Sequence, residues 1–313
     1  MEIRFISRDK IEKNRWDGCV HYANNGLIYG YTWYLDNVAE NWDGLVEGNY
    51  QSVFPLVWNS KIVKIKQIYQ PFLCQQLGLY SVKVCSKPRI EAFIKAIPQE
   101  YKFVSMHMND RNNLVKNIGG LKTERRSNYL LALNRSYEEI RKNYSTNLKR
   151  NINKARRANL YITSGIKPEK FVEAIRKYHE NYKTKKIPKQ IYPMALRIIY
   201  NCLHRGLGSI TGVYKEDSED FCAALFVMYS GSRLINLLNV TTAAGRKIGA
   251  MHYLLDELIQ QNAGRPAVLD FEGSNIESIA RFNKSFGAED TPYFRIERND
   301  LPWWIRWYKS FRN

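Results

Sequence analysis

The stretch NVTTAAGRKIGAMHYLLDELIQ, residues 239–260, changes character midway. It opens as the tail of an apolar strand and crosses a small-residue turn at Ala243, Ala244 and Gly245. It continues as an amphipathic helix whose first turns hold Gly249 and Ala250. Where small residues lead a strand into a helix, backbone N–H groups can face an anion and the helix dipole adds to the attraction. Val240, Gly245, Arg246, Lys247, Ile248, Gly249 and Ala250 therefore form a candidate phosphate cradle, with two basic side chains adding charge.

Working outward, GSITGVY, DFCAALFVMY and RLINLLNV read as strands leading into this turn. AVLDFE reads as a strand after it, followed by a helix in NIESIARFNKSF and a last strand in PYFRIER. The same order appears earlier in the chain. WDGLVEGNYQSVFPLVWNSKIVKIKQIY reads as strands with hairpin turns at Gly48-Asn49 and Asn59-Ser60. A turn, a helix around Ile90–Ala96, the strand KFVSMHM, the helix NNLVKNI and the strand SNYLLAL follow. VSMHMND at 104–110 occupies the place of VLDFEGS at 268–274, and Gly120 that of Gly287. Two copies of one mixed α/β unit are expected, joined through a basic segment; the plainer alternative is two unrelated α/β domains.

A chain of 313 residues with 44% apolar side chains can bury two cores. It contains no run of 18 uncharged apolar residues, so no integral membrane association is expected. The charged N-terminus lacks the apolar centre of a signal peptide, which predicts a cytoplasmic protein. Five scattered cysteines without CxxC spacing and five unpaired histidines predict reduced thiols and no metal site. GxSxG, Walker and GxGxxG patterns are all absent, which removes the main signals for hydrolase, P-loop and dinucleotide chemistry.

Of the net charge of +18, most falls between residues 135 and 190, which carry 16 basic against 5 acidic side chains. Within YSTNLKRNINKARRA, Tyr144, Leu148, Ile152 and Ala155 make a narrow apolar stripe. Lys149, Arg150, Lys154, Arg156 and Arg157 occupy the other faces, with no acid between Arg141 and Arg157. Such a face predicts an anionic partner: RNA, a nucleotide phosphate or an acidic membrane. Ser136 and Glu139 form a capping box for the preceding short helix.

The two copies differ in acids. Asp270 and Glu272 alternate along a strand, which would direct both carboxylates to one face, whereas Met106 and Met108 stand at the matching positions of the first copy. Carboxylates at the end of a central strand are costly unless solvated or used. Chemistry is therefore expected in the second copy, unless the pair merely caps the next helix or meets basic neighbours.

The element order resembles the GNAT acyltransferase fold, and two tandem copies resemble its FemABX-type branch. NYSTNLKRNINKARRANL (143–160) is similar to the basic helix that opens the second domain there. IARFNKSFGAE (279–289) is similar to the stretch that runs Arg-Phe-Lys before Phe-Gly. The resemblance implies two tandem domains, each a twisted, mostly antiparallel sheet flanked by helices. Residues 1–135 would form a non-catalytic first domain, 136–298 an acyltransferase domain, and 299–313 a helix packing back on the first domain.

It also implies N-acyl transfer to an amine-bearing small molecule, peptide or cell-envelope precursor. Asp270 or Glu272 would take the proton, Asn283 and Lys284 would donate to a carbonyl or an acceptor carboxylate, and Tyr293 would act as an acid. The acceptor-binding positions of FemABX proteins fall near Lys183 and Ile187. Asn283 stands where FemABX proteins have a lysine, which favours acyl-CoA (acetyl-CoA) as donor; the charge favours aminoacyl-tRNA. The GNAT turn pattern, Gln/Arg-x-x-Gly-x-Gly/Ala, is not satisfied with Gly249 last or with Gly245 fourth. A non-enzymatic alternative is an RNA- or membrane-surface-binding protein on a degenerate GNAT scaffold.

Overall fold

The computed structural model describes residues 2–62, 64–112, 121–181, 188–216, 220–273 and 275–304. The helix expected at NNLVKNI (past Asn112), Gly120, Lys183, Ile187 and the chain beyond Trp304 lie outside the described residues. Two compact units emerge, one of residues 1–126 and 292–313, the other of 127–291.

In the first unit the strands are β1 (Ile3–Ile6), β2 (Asn41–Glu47), β3 (Ser52–Ile62), β4 (Ile65–Ile68), β5 (Tyr80–Ser81), β6 (Phe103–His107) and β7 (Lys122–Arg126). Helices α1 (Lys13–Tyr22), α2 (Thr32–Val38) and α3 (Lys87–Lys95) accompany them. The second unit starts with β8 (Tyr129–Ala132), α4 (Tyr137–Lys142), α5 (Thr146–Arg156), β9 (Leu160–Ser164), α6 (Pro168–Asn181) and α7 (Ile191–His204). There follow β10 (Gly208–Lys215), β11 (Phe221–Ser230), β12 (Arg233–Thr241), α8 (Ala243–Ile248) and α9 (Ala250–Asn262). β13 (Val268–Asp270), α10 (Glu277–Lys284) and β14 (Glu289–Asp290) complete that unit, and β15 (Tyr293–Asn299) returns to the first.

The two sheets share one plan. The first runs β1-β2-β3-β4-β6-β15-β7, with β5 beside β3; the second runs β9-β10-β11-β12-β13-β8-β14. Each is antiparallel except for one parallel pair, β4 with β6 and β12 with β13. The duplicated order legible in the sequence is thus present, but each copy gives its last strand to the other sheet. β8 pairs with β13 and β14, and β15 pairs with β6 and β7. This moves the boundaries away from 135 and 298, because alternating apolar residues identify a strand without naming the sheet whose backbone groups it satisfies. A smaller correction concerns Asn59-Ser60, which lies inside β3 and not at a hairpin turn.

Local chemistry explains the elements around the strand–turn–helix stretch. β11 is buried from Phe221 to Met228, the continuous apolar pattern of a strand covered on both faces. α5 buries Leu148, Ile152 and Ala155 and packs against α9, and Ser145 Oγ caps it by accepting from Leu148 N at 3.2 Å. Thr242 Oγ1 caps α8 in the same way, accepting from Gly245 N at 3.0 Å. Gly249 then turns the chain with φ +78 between α8 and α9, a left-handed conformation suited to glycine.

Candidate functional site

The second unit's site begins where two parallel strands part. β12 and β13 are in register only from Arg233–Val268 to Ile235–Asp270. Beyond that point β12 continues to Thr241 along an edge that β13 no longer covers. Asn239 and Leu238 face Leu225 and Phe226 of β11, but the next pair is Asn236 with Val227, so Leu237 is an extra residue. A bulge of this kind bends a strand and re-aims its side chains.

A cleft of about 570 Å³ follows the freed edge. Asn236, Asn239, Val240 and Thr241 of β12 line one side; Phe271, Ser278, Ile279, Phe282 and Asn283 line another; Gly249, Ala250, Met251 and His252 close the end of α9. Tyr178, Val240, Thr241 and Arg246 also border an adjoining cavity of about 390 Å³, which Lys170, Glu173 and Lys177 of α6 and Asp220 line as well, Lys170 pairing with Asp220 at 3.4 Å. The Arg246 guanidinium lies 5.1 Å from the centre of the Tyr178 ring.

Three buried polar atoms of this cleft lack a hydrogen-bond partner among the described residues: Asn236 Oδ1, His252 Nδ1 and Asn283 Nδ2. Asn236 and Asn283 are only 5% and 3% exposed. Buried polar groups are nearly always paired, so three orphans on residues lining one cavity mark it as a candidate ligand site. Burial holds the His252 pKa below its ordinary value, which keeps the imidazole neutral, and its ring packs edge-on at 5.1 Å against Phe282. No residue lining this cleft is acidic.

The sequence-predicted residues divide clearly. Val240, Gly245, Arg246, Gly249, Ala250 and Asn283 line the cleft, whereas Lys247 and Ile248 do not. Gly245 also has a packing reason to be glycine: a Cβ there would lie 2.0 Å from the Cys222 carbonyl oxygen, so glycine lets α8 pack on β11. At Gly249 a Cβ would meet the Asn151 carbonyl oxygen of α5 at 2.7 Å. Open N–H groups belong to the first turn of α9, where Ala250, Met251 and His252 have no acceptor within that helix. The left-handed Gly249 between α8 and α9 is the fourth residue of Arg246-Lys-Ile-Gly249-Ala-Met251.

The two acids do not share a face. β13 ends at Asp270, and Glu272 follows in the left-handed region at φ +49. Asp270 is 2% exposed. Its Oδ2 accepts from Arg233 Nη1 at 3.0 Å and from Asn128 Nδ2 at 3.3 Å, and its Oδ1 from Glu272 N at 2.9 Å. Asp270 thus locks β12, β13 and the chain before β8 together. Neither acid lines the cleft. Lys284 is exposed and lies 5.7 Å from the Tyr129 ring centre, away from Asn283 on the same helix. Tyr293 sits on β15 in the first unit's sheet, 5.3 Å from the His107 ring, and is not among the residues lining the cleft.

On α5 the cations also separate. Arg156 pairs with the fully buried Asp256 at 3.1 Å, and Tyr137 donates to the same carboxylate at 2.9 Å. Lys149 donates to the Lys142 carbonyl at 3.2 Å and Arg150 to Asn147 at 3.3 Å. Arg150, Lys154 and Arg157 face outward, and none of the α5 cations lines the cleft. Sequence reasoning passed over Asn236, His252 and Tyr178. Asn236 is one of two amides, with Asn239, that interrupt the apolar run RLINLLNV, and that interruption is the signal that marks it.

At the equivalent place in the first unit, the described residues fill the space beside β6. After β4 its chain doubles back so that Leu77 N donates to the His107 carbonyl at 2.8 Å, and Leu77 bridges Met108. Gln70 Oε1 accepts from His107 N at 2.8 Å, and His107 Nδ1 meets the Gln75 carbonyl at 3.0 Å. Met106 and Met108 are fully buried beneath it. The gap between diverging strands is filled by the unit's own polypeptide.

No protein-family model and no curated protein sequence matches this chain. Solved structures do. FemX superposes with a TM-score of 0.68 at 12% identity, covering 94% of this chain and 97% of that one. L-PGS from Bacillus licheniformis gives 0.53 at 12%, covering 87% and 88%. A tandem GNAT protein from the clavulanic acid biosynthesis pathway gives 0.53 at 11%, covering 96% and 98%. The chain therefore has the mixed α/β fold of GNAT-like proteins. More narrowly, its two sheets in tandem match the fold of FemX over nearly the whole of both chains.

Proposed function

We propose that the second unit is an N-acyltransferase, moving an acyl or aminoacyl group to an amine at the fork between β12 and β13. The observation that carries this reading is the convergence of three unpaired buried polar atoms on a cleft with no acid in its lining. The similarity to FemX, to an L-PGS and to a tandem GNAT protein supports it at the level of fold.

The roles follow from the chemistry of each atom. Amine acylation joins nitrogen to the acyl carbon, breaks the bond to the donor's leaving group, and releases one proton from the amine. Asn283 Nδ2 is placed to donate to the acyl oxygen as charge develops there, a preorganised contribution with no cost of reorientation. Neutral His252 Nδ1 is the candidate base for the proton. Asp270 and Arg233 hold the fork and leave the chemistry to the amides and the imidazole.

Acyl-CoA is the donor best suited to the cleft. The freed edge of β12 from Thr241 to Asn236 spans roughly 16 Å at the rise of a strand, room for an extended arm. Arg246 and the start of α9 put a cation and N–H donors on the cleft, and Lys177 lines the adjoining cavity beside Glu173 and the Lys170–Asp220 pair, so phosphates would be held at Arg246 and the α9 N–H groups. When bound, the thioester would supply an activated acyl carbon. Isothermal titration with CoA and acetyl-CoA tests this: binding is expected, weakened by Arg246→Ala, and absence of binding at millimolar ligand overturns the donor assignment.

A second reading rests on a different observation, the outward cations Arg150 and Lys154 of α5 and Arg157 at its C-cap. FemABX-type proteins use aminoacyl-tRNA, and the similarities to FemX and an L-PGS suggest a cell-envelope precursor or lipid headgroup as acceptor. Salt-sensitive tRNA binding that is lost when those three residues become alanine supports this donor. Binding indifferent to salt and to the substitutions rules out that surface. The first unit, with its gap self-filled, is assigned a non-catalytic role.

A further inference from the structure

We infer that the inner end of the cleft selects an acyl group bearing its own uncharged hydrogen-bond donor, a hydroxyl or an amide N–H, over a plain alkanoyl group. This deepens the acyl-transfer reading and rests on it. Asn236 is the first residue beyond the last pair that β12 makes with β13, at the closed end of the fork. Its side chain is 5% exposed and lines the cleft, and its Oδ1 lacks a partner among the described residues. A desolvated carbonyl oxygen at that depth is costly unless a ligand pairs with it.

The other two orphan atoms already have roles in acyl transfer, Asn283 Nδ2 toward the acyl oxygen and His252 Nδ1 toward the amine proton. Asn236 Oδ1 remains for what extends beyond the acyl carbon. An acceptor oxygen requires a donor, which butanoyl or acetyl groups lack. Charge narrows the class further. None of the lining residues is acidic, so a buried ammonium would have no counter-ion. Arg246, the one Lys or Arg among them, is at the outer end over Tyr178, so a carboxylate at the inner end would be equally unpaired. A neutral donor fits both constraints. Replacing the oxygen's partner by an alkyl chain leaves a buried polar group unmet, and sites built to hydrogen-bond a hydroxyl discriminate strongly against the analogue lacking it.

Isothermal titration of the full chain with CoA, butanoyl-CoA and both enantiomers of 3-hydroxybutanoyl-CoA tests the inference. One hydroxy enantiomer is expected to bind several-fold to about tenfold more tightly than butanoyl-CoA. Asn236→Leu should erase that preference while leaving the affinity for CoA unchanged. Equal binding of the hydroxylated and plain thioesters by the wild-type chain overturns the inference and leaves the acyl-transfer reading standing on CoA binding. Failure of all of them to bind overturns the CoA-dependent reading and the inference with it. A preference that survives Asn236→Leu assigns the discrimination to another group and also overturns the inference. The wild-type comparison needs no variant, so it decides even where the leucine variant does not fold.

Discussion

Replacing Asp270 by asparagine should unfold the second unit before it reveals anything about catalysis. The Arg233–Asp270 pair is 7% and 3% exposed at its side chains, with Nη1 and Oδ2 3.0 Å apart. Asparagine keeps the shape but removes the charge that the buried Arg233 guanidinium pairs with. Breaking one side of such a pair costs about 3–5 kcal/mol, most of it the penalty of the stranded charge. Turning the new amide to keep an acceptor for Glu272 N or Asn128 Nδ2 recovers only part of this.

For a unit of this size, each kcal/mol lowers the melting temperature by about 2–4 °C, which puts the expected drop between about 6 and 20 °C. Urea titration followed by far-UV circular dichroism measures the free energy directly. A companion variant carrying both Arg233→Met and Asp270→Leu removes the whole pair and should regain most of the loss, because no charge is left behind. Acyl transfer by Asp270→Asn should recover in proportion to the folded fraction at low temperature. If instead the variant melts like the wild type and has lost turnover, Asp270 takes part in the chemistry and the structural role assigned to it is refuted.

Other outcomes follow from the same geometry. Asn283→Leu should lower turnover by about 10²–10³-fold and His252→Gln by about 10²–10⁴-fold, both with CoA affinity retained. A loss confined to CoA affinity, read by titration beside the kinetics, would refute the assigned roles. Gly245→Ala should destabilise by about 1–3 kcal/mol or more, because the Cys222 carbonyl 2.0 Å from the new Cβ is backbone and cannot swing aside; a wild-type melt would disprove the contact. Burial pushes the His107 pKa from 6.5 to about 4, so the folded state resists protonation that the unfolded chain accepts. Its stabilising effect is complete above pH 6.5 and is lost as the pH falls toward 4. Urea midpoints for the wild type and His107→Gln should therefore converge as the pH is lowered through that window, and parallel curves would contradict the assignment.

Much of the architecture was legible because it rests on local periodicity. The apolar run of β11, the stripe of Leu148, Ile152 and Ala155 on α5, the capping box at Ser136 and the strand–turn–helix passage around Gly245 all reflect side-chain spacing along one element. Their repetition, with Met106 and Met108 opposite Asp270 and Glu272, marked two copies of one plan and the copy that differs. Asn283 was also legible, as a departure from a motif at a position that lines the cleft.

Pairing decided the rest. The exchange of β8 and β15 between sheets is invisible in sequence, since both read as ordinary strands whose backbone partners lie more than a hundred residues away. The direction of Asp270 depended on Arg233 and on a strand that stops one residue before the alternation could continue. Gly245 and Gly249 looked like space for a phosphate, and each also lets another backbone approach, that of Cys222 and of Asn151. Asn236 and His252 gain their meaning only from burial beside a fork, where β12 leaves β13 and polar atoms lose water without finding a protein partner. A sequence records which groups are polar and how often apolar ones recur; whether a given polar group is solvated, paired or left for a ligand is settled by the strands and helices that close around it.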